Sequence, residues 1–107
     1  MQNDNIALTE AVYYILLSLY SPLHGYGIMQ KVGSLSSNRV ILAAGTLYGA
    51  LNTLLDKGWI RALPGERNDR RKEYEITALG KEITLNELRR LGELQRNGES
   101  ITRGDVM

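Results

Sequence analysis

The most constraining stretch of this 107-residue chain is a leucine-backed segment between Thr46 and Gly58. Leu47, Leu51, Leu54 and Leu55 recur at i, i+4, i+7 and i+8, which places them on one face of a helix running from Gly45 or Thr46 to Lys57. Gly58 follows, a residue that leaves a helix easily through the left-handed conformation. At about 100° per residue, the opposite side carries Gly45, Gly49, Asn52, Thr53 and Asp56, with Thr46 and Tyr48 on its flanks. A solvated helix face is usually charged along its length. This one is small, hydrogen-bonding and uncharged until its last turn. Gly49 in mid-helix costs roughly 1 kcal/mol relative to alanine. Either a neighbouring helix packs against it, or the backbone must come close to something outside the chain.

The flanking segments supply the rest of a fold. Thr9 caps a first helix with apolar positions at Val12, Ile15, Leu16 and Leu19, and Ser21-Pro22 ends it. A short second helix is expected from His24 or Gly25 to Val32, with Tyr26, Met29 and Val32 inward and Gly33 at its C-terminal side. Residues 33–38, Gly-Ser-Leu-Ser-Ser-Asn, read as a turn, and residues 40–42 as a short strand or the run-in to the leucine-backed helix. Residues 59–63 and 73–77 are β-prone and bracket a basic turn containing Pro64 and Gly65, which makes a hairpin with a charged tip. Thr77 then caps a last helix from Ala78 to about Arg96, with Leu79, Ile83, Leu85, Leu88, Leu91 and Leu94 as its apolar positions. Leucines three apart drift around a helix, so its first part can pack on its own domain while the later leucines seek a partner.

The order helix, helix, helix, hairpin, helix is that of a winged helix-turn-helix, mainly α with a small β-hairpin and a long C-terminal dimerisation helix. The expected division is a DNA-binding domain at residues 1–77, a dimerisation helix at 78–96 and a flexible tail at 97–107.

Charge distribution agrees with this reading better than total charge does. The net charge is only +1, but residues 67–72 read Arg-Asn-Asp-Arg-Arg-Lys, whereas the first thirty residues contain no Lys or Arg. A local positive edge suits a protein that touches a polyanion with one side. The chain has no cysteine, which removes disulfides, thiolate metal sites and cysteine nucleophiles, and fits a cytoplasmic setting. His24 is the only histidine, so no histidine-based metal site can be assembled, and it reads as a helix-start residue. No nucleophile and base stand in a recognisable arrangement, so no catalytic residue, metal or cofactor is expected.

Four groups of residues, in one collinear order, carry a family resemblance: His24-Gly25-Tyr26-Gly27; Gly45-Thr46-Leu47-Tyr48; Leu51 to Ile60; and Arg70-Arg71-Lys72-Glu73-Tyr74 with Ile76-Thr77-Ala78-Leu79-Gly80. Together they resemble PadR-family transcriptional regulators across roughly residues 9–94, and the short length is similar to the subgroup with a single C-terminal helix. The resemblance implies a homodimer held by terminal helices, binding to a pseudo-palindromic double-stranded operator, repression, and in some members a response to a small aromatic effector.

On this reading Thr46, Tyr48, Gly49, Asn52 and Thr53 meet DNA from the third helix, and Arg67, Arg70, Arg71 and Lys72 meet phosphate from the wing. The dimer interface is expected at Val12, Leu16, Leu85, Leu88, Leu91 and Leu94. The last helix has no aromatic residue, so stacking on an effector would come from Tyr13 or Tyr14. A winged-helix module that binds another protein through the same surfaces, and never DNA, is the alternative.

Overall fold

The computed structural model describes residues 7–64 and 72–104. Helix α1 spans Glu10–Ser18, with the Thr9 hydroxyl accepting from the Val12 amide at 3.1 Å. A two-residue strand β1, Leu23–His24, leads directly into helix α2, Gly25–Leu35. Helix α3 spans Ala44–Lys57, strands β2 and β3 span Ile60–Ala62 and Glu73–Ile76, and helix α4 spans Ala78–Thr102. No helix among the described residues is long and apolar enough to cross a membrane.

The core is built where α1, α2 and α3 meet the sheet. Ile15, Leu16 and Leu19 meet Ile28 and Val32 of α2 and Leu47, Leu51 and Leu54 of α3, with Ile60, Tyr74 and Ile76 closing the sheet side. Burying this many large aliphatic side chains, at about 1.5–3 kcal/mol each, is the main force holding the three helices together.

The hairpin is two strands of a three-stranded antiparallel sheet among the described residues, in the order β1-β3-β2. Leu23 and His24 pair with Tyr74 and Glu73, so β3 is the central strand, and Ile60 pairs with Ile76 on its other side. The two-residue strand was not expected, because Leu23-His24 is too short to show alternation. Two backbone bonds fasten the sheet to the helices: the Ile76 amide donates to the Leu19 carbonyl at 2.9 Å, and the Thr77 amide to the Trp59 carbonyl at 3.0 Å.

Several boundaries and facings differ from the sequence expectation. Helix α2 runs to Leu35, and the turn follows it at Ser37 and Asn38, both with positive φ. Its inward residues are Gly25, Ile28 and Val32, whereas Tyr26 is 62% exposed. The phase is set by Gly25, which lies directly against the Tyr48 ring of α3. Residues 40–42 are the run-in to α3 rather than a strand.

Helix α4 continues to Thr102, past the expected end at Arg96, so residues 97–102 are helical rather than tail. One interior glycine, Gly98, costs too little to stop a helix. Gln95 bonds Glu99 at 3.1 Å and Thr102 bonds the Gly98 carbonyl at 2.8 Å across this stretch. The exit comes at Gly104, with φ 78°. Nor is the face that α4 turns to its own domain leucine-rich: the buried residues are Gly80, Thr84 and Glu87, and Leu79 is exposed. A Cβ at Gly80 would collide with the Trp59 carbonyl and stand 2.7 Å from Ile76 Cγ1, so the helix start sits closer to the sheet than any side chain permits.

Candidate nucleic-acid interface

Helix α3 turns its leucines inward and leaves its other side uncovered by the described residues. Leu47, Leu51 and Leu54 are buried, while Gly45, Thr46, Gly49, Asn52, Thr53 and Asp56 are all exposed. An ideal Cβ built on Gly45 or Gly49 finds no atom within 4 Å. This decides between the two readings of Gly49: among the described residues no neighbouring helix packs on it, and the space beside it is open.

The start of α3 differs from the sequence expectation. Ala43 is the N-cap and makes no side-chain capping bond, so Thr46 lies in the first turn with its hydroxyl free of capping duty. The first turn therefore presents backbone N–H groups at the positive end of the helix with no side chain of the cap residue over them. The C-terminal end is closed, with Gly58 at φ 77° and the Trp59 amide donating to the Leu54 carbonyl at 3.0 Å. Lys57 places its ammonium 5.3 Å from the centre of the Trp59 ring.

Tyr48 is both a packing and a surface residue. Its ring covers Gly25 at the start of α2, yet it remains 45% exposed. Helix α2 in turn is capped by His24, whose Nδ1 accepts from the Gly27 amide at 3.1 Å. The sole histidine thus has a structural task. The exposed Tyr26 at the same helix start, its hydroxyl accepting from Gln30 at 3.4 Å, is a surface residue that sequence reading placed inward.

The hairpin follows α3 through Gly58. On its exposed face Arg61 is opposite Glu75 and pairs with it, the Nε donating at 2.7 Å, so these two strand charges cancel. Lys72 is exposed at the entry to β3. Arg67, Arg70 and Arg71 lie outside the described residues.

A second feature lies between α1 and α4. A crevice of about 320 Å3 is lined by Leu8, Tyr13, Tyr14, Glu87, Arg90 and Leu91, among others. The Tyr13 and Tyr14 rings are 6.0 Å apart and tilted by 47°. Glu87 is buried, accepts two bonds from the Arg90 guanidinium at 2.8 and 2.7 Å, and accepts from the Leu8 amide at 3.4 Å. The Arg90 bonds hold its carboxyl below the ordinary value, against the opposing effect of burial. The Tyr13 hydroxyl is pushed up by its own burial and then by the Glu87 charge.

Of the expected dimer residues, Leu85, Leu88, Leu91 and Leu94 are exposed along α4. Val12 is half-buried against the core. Leu16 is not available: it is 0% exposed, because Ile15, Leu16 and Leu19 all enter the core where α1 crosses α2. An apolar stripe read from sequence does not separate residues facing the chain's own core from those facing another copy.

Comparison with known proteins gives this geometry a setting. The model of the Transcriptional regulator PadR-like family matches residues 14–86, more than half of the chain. None of the curated proteins matches the sequence. Among solved structures, a PadR family transcription regulator from Clostridium difficile is similar at TM-score 0.66 and 21% identity, covering 85% of this chain and 97% of that one. The protein smu.1704 from Streptococcus mutans aligns at TM-score 0.67 and 21% identity over 95% of this chain and 96% of its own. A PadR family transcriptional regulator from Eggerthella lenta gives TM-score 0.65 and 22% identity, over 87% and 80%. At these identities the likeness is one of fold: four helices with a small antiparallel sheet, the winged-helix arrangement.

Proposed function

This chain belongs to the PadR-like family of transcriptional regulators, and on that premise we propose that it represses transcription by binding an operator as a homodimer. The observation that carries the proposal is the uncovered polar side of α3: a helix whose leucines are all used inward, and whose Thr46, Tyr48, Gly49, Asn52 and Thr53 stand in solvent. Such a helix enters a major groove with its outward side against base edges. The uncapped first turn of α3 and the half-exposed Tyr48 hydroxyl suit phosphate at the groove edge. Lys72, with Arg67, Arg70 and Arg71 of the sequence between the strands, supplies the sequence-independent attraction.

Dimerisation rests on α4. Its Leu85, Leu88, Leu91 and Leu94, followed by Ile101, are exposed apolar groups on a helix of 25 residues, with Leu91 also at the edge of the α1 crevice. A second copy covering them would set two α3 helices on one duplex about 34 Å apart, the distance between successive major grooves. The crevice at Tyr13 and Tyr14 borders the same helix, so a small aromatic molecule seated there would bear on the angle between the two copies.

The test is titration of a fluorescent duplex from the chain's own promoter region with the full-length protein at several salt concentrations. Binding should weaken linearly in log salt, with a slope near −0.9 for each phosphate neutralised. Arg70→Ala and Arg71→Ala should each reduce that slope by about 1 on every duplex. No binding to any duplex at moderate salt would overturn the reading and leave a protein-interaction module in its place.

A further inference from the structure

The groove-facing side of α3 has a composition that narrows what it can read, an inference that rests on the DNA-binding reading above. Between Ala44 and Thr53 the helix holds no acid and no cation. Its charges come in the last turn, at Asp56 and at Lys57, whose ammonium lies over Trp59. Guanine is most often read in the major groove by Arg or Lys, through O6 and N7. No such group projects from the N-terminal two-thirds of this helix.

What projects instead is complementary to an A·T pair. Asn52 is exposed and offers an amide donor and acceptor side by side, the match to the N7 acceptor and N6 amino group of adenine. Thr53, its neighbour, donates its hydroxyl hydrogen to the Gly49 carbonyl at 3.3 Å. With that hydrogen used inside the helix, Thr53 has only a methyl and an acceptor lone pair to present to DNA. The methyl of exposed Thr46, about 20° from Thr53 around the helix, extends the same apolar character toward the start of the helix. These two methyls meet the C5-methyl of thymine, which no other base carries.

Reach is the remaining requirement. An asparagine side chain is far shorter than an arginine, so a helix that reads with asparagine must come closer to the base pairs. Gly45 and Gly49 lie one turn apart on the same side, with nothing within 4 Å of where a Cβ would stand. The missing side chains allow that approach, and explain why a residue unfavourable to helices occupies the middle of this one.

We propose that α3 reads A·T base pairs, with Asn52 holding an adenine through N6 and N7, Thr53 against the methyl of a neighbouring thymine, and Gly49 admitting the helix closely enough for both.

The test is selection of duplexes from a randomised pool by the full-length chain, then titration of the selected duplex with single adenines replaced by 7-deazaadenine. Selected half-sites should contain a fixed A·T pair at which this replacement weakens wild-type binding by roughly tenfold or more. Asn52→Ala should bind the natural duplex about as weakly as wild type binds the modified one, and should show no further loss on modification. Gly49→Ala should lose affinity for the selected site while melting no lower than wild type, since the position is open and alanine favours helix. Fixed G·C pairs at the selected positions, or a 7-deazaadenine penalty that persists in Asn52→Ala, would overturn the A·T assignment while leaving DNA binding intact. Failure to enrich any duplex, with no salt-dependent binding, would overturn both readings together.

Discussion

The ring of Tyr48 lies on Gly25, so close that a Cβ added to the glycine would stand 2.8 Å from the Tyr48 ζ carbon and closer still to its hydroxyl. The contact locks the start of α2 to the start of α3, and thereby fixes both the angle of α3 and the direction of the Tyr48 hydroxyl. Because the clash is with the far end of a half-exposed side chain, Gly25→Ala should leave the chain folded but displace the ring. We expect Gly25→Ala and Tyr48→Ala each to weaken operator binding, and the double variant to be little worse than either alone, as for residues acting through one contact. Fully additive losses in a duplex titration would show that the two act separately.

Gly80 presents the opposite case. Its added Cβ would stand 3.0 Å from the Trp59 carbonyl carbon and nearer to the oxygen, and backbone cannot swing away. That carbonyl also receives the Thr77 amide at 3.0 Å, so displacing α4 breaks the join between sheet and helix. Gly80→Ala should cost about 1–3 kcal/mol or somewhat more, the range of overpacked cores. Urea denaturation measures it, and an unchanged midpoint would count against the close approach.

Glu87 ties three parts of the chain together through Arg90, the Leu8 amide and the crevice beside Tyr13. Its carboxyl is held below the ordinary value of 4.5, so the folded state favours the ionised form. The resulting stability is fully present above that value and is lost as pH falls through the lower folded value. Glu87→Gln should therefore melt below wild type at neutral pH, with the gap narrowing in acid below 4.5. Thermal melts across this range check it, and a gap independent of pH would mean that the carboxyl contributes by shape alone.

Leu88 is exposed near the middle of α4 and is not among the described residues that pack on the core. Leu88→Glu should leave the monomer fold intact and lower the mass seen by light scattering, because a charge buried between two copies without a partner is costly. An unaltered mass, with helical content unchanged, would move the interface off this part of the helix.

Much of the architecture was legible because it follows from local chemistry. Thr9, Thr77 and Gly58 sit at helix ends for reasons contained in their own side chains, and each is found at the end it was expected to mark. The leucine spacing of α3 determined which side of that helix is inward, and so which residues remain for a ligand. Phase was less secure in α2. There Tyr26 and Ile28 are both apolar and only two residues apart, and the choice between them was made by a contact from α3.

The sequence by itself determined the order of the four helices and the hairpin, the caps at Thr9, Thr77 and Gly58, and the uncharged polar side of one helix, because each depends on residues within a turn or two of one another. Tertiary structure alone decided that Leu16 is core and Leu88 surface, that Gly49 opens on empty space while Gly80 meets a backbone carbonyl, and that Glu87 is buried with Arg90. Those outcomes depend on which distant segment arrives at a given face. Spacing along a helix fixes the face but does not specify what packs against it.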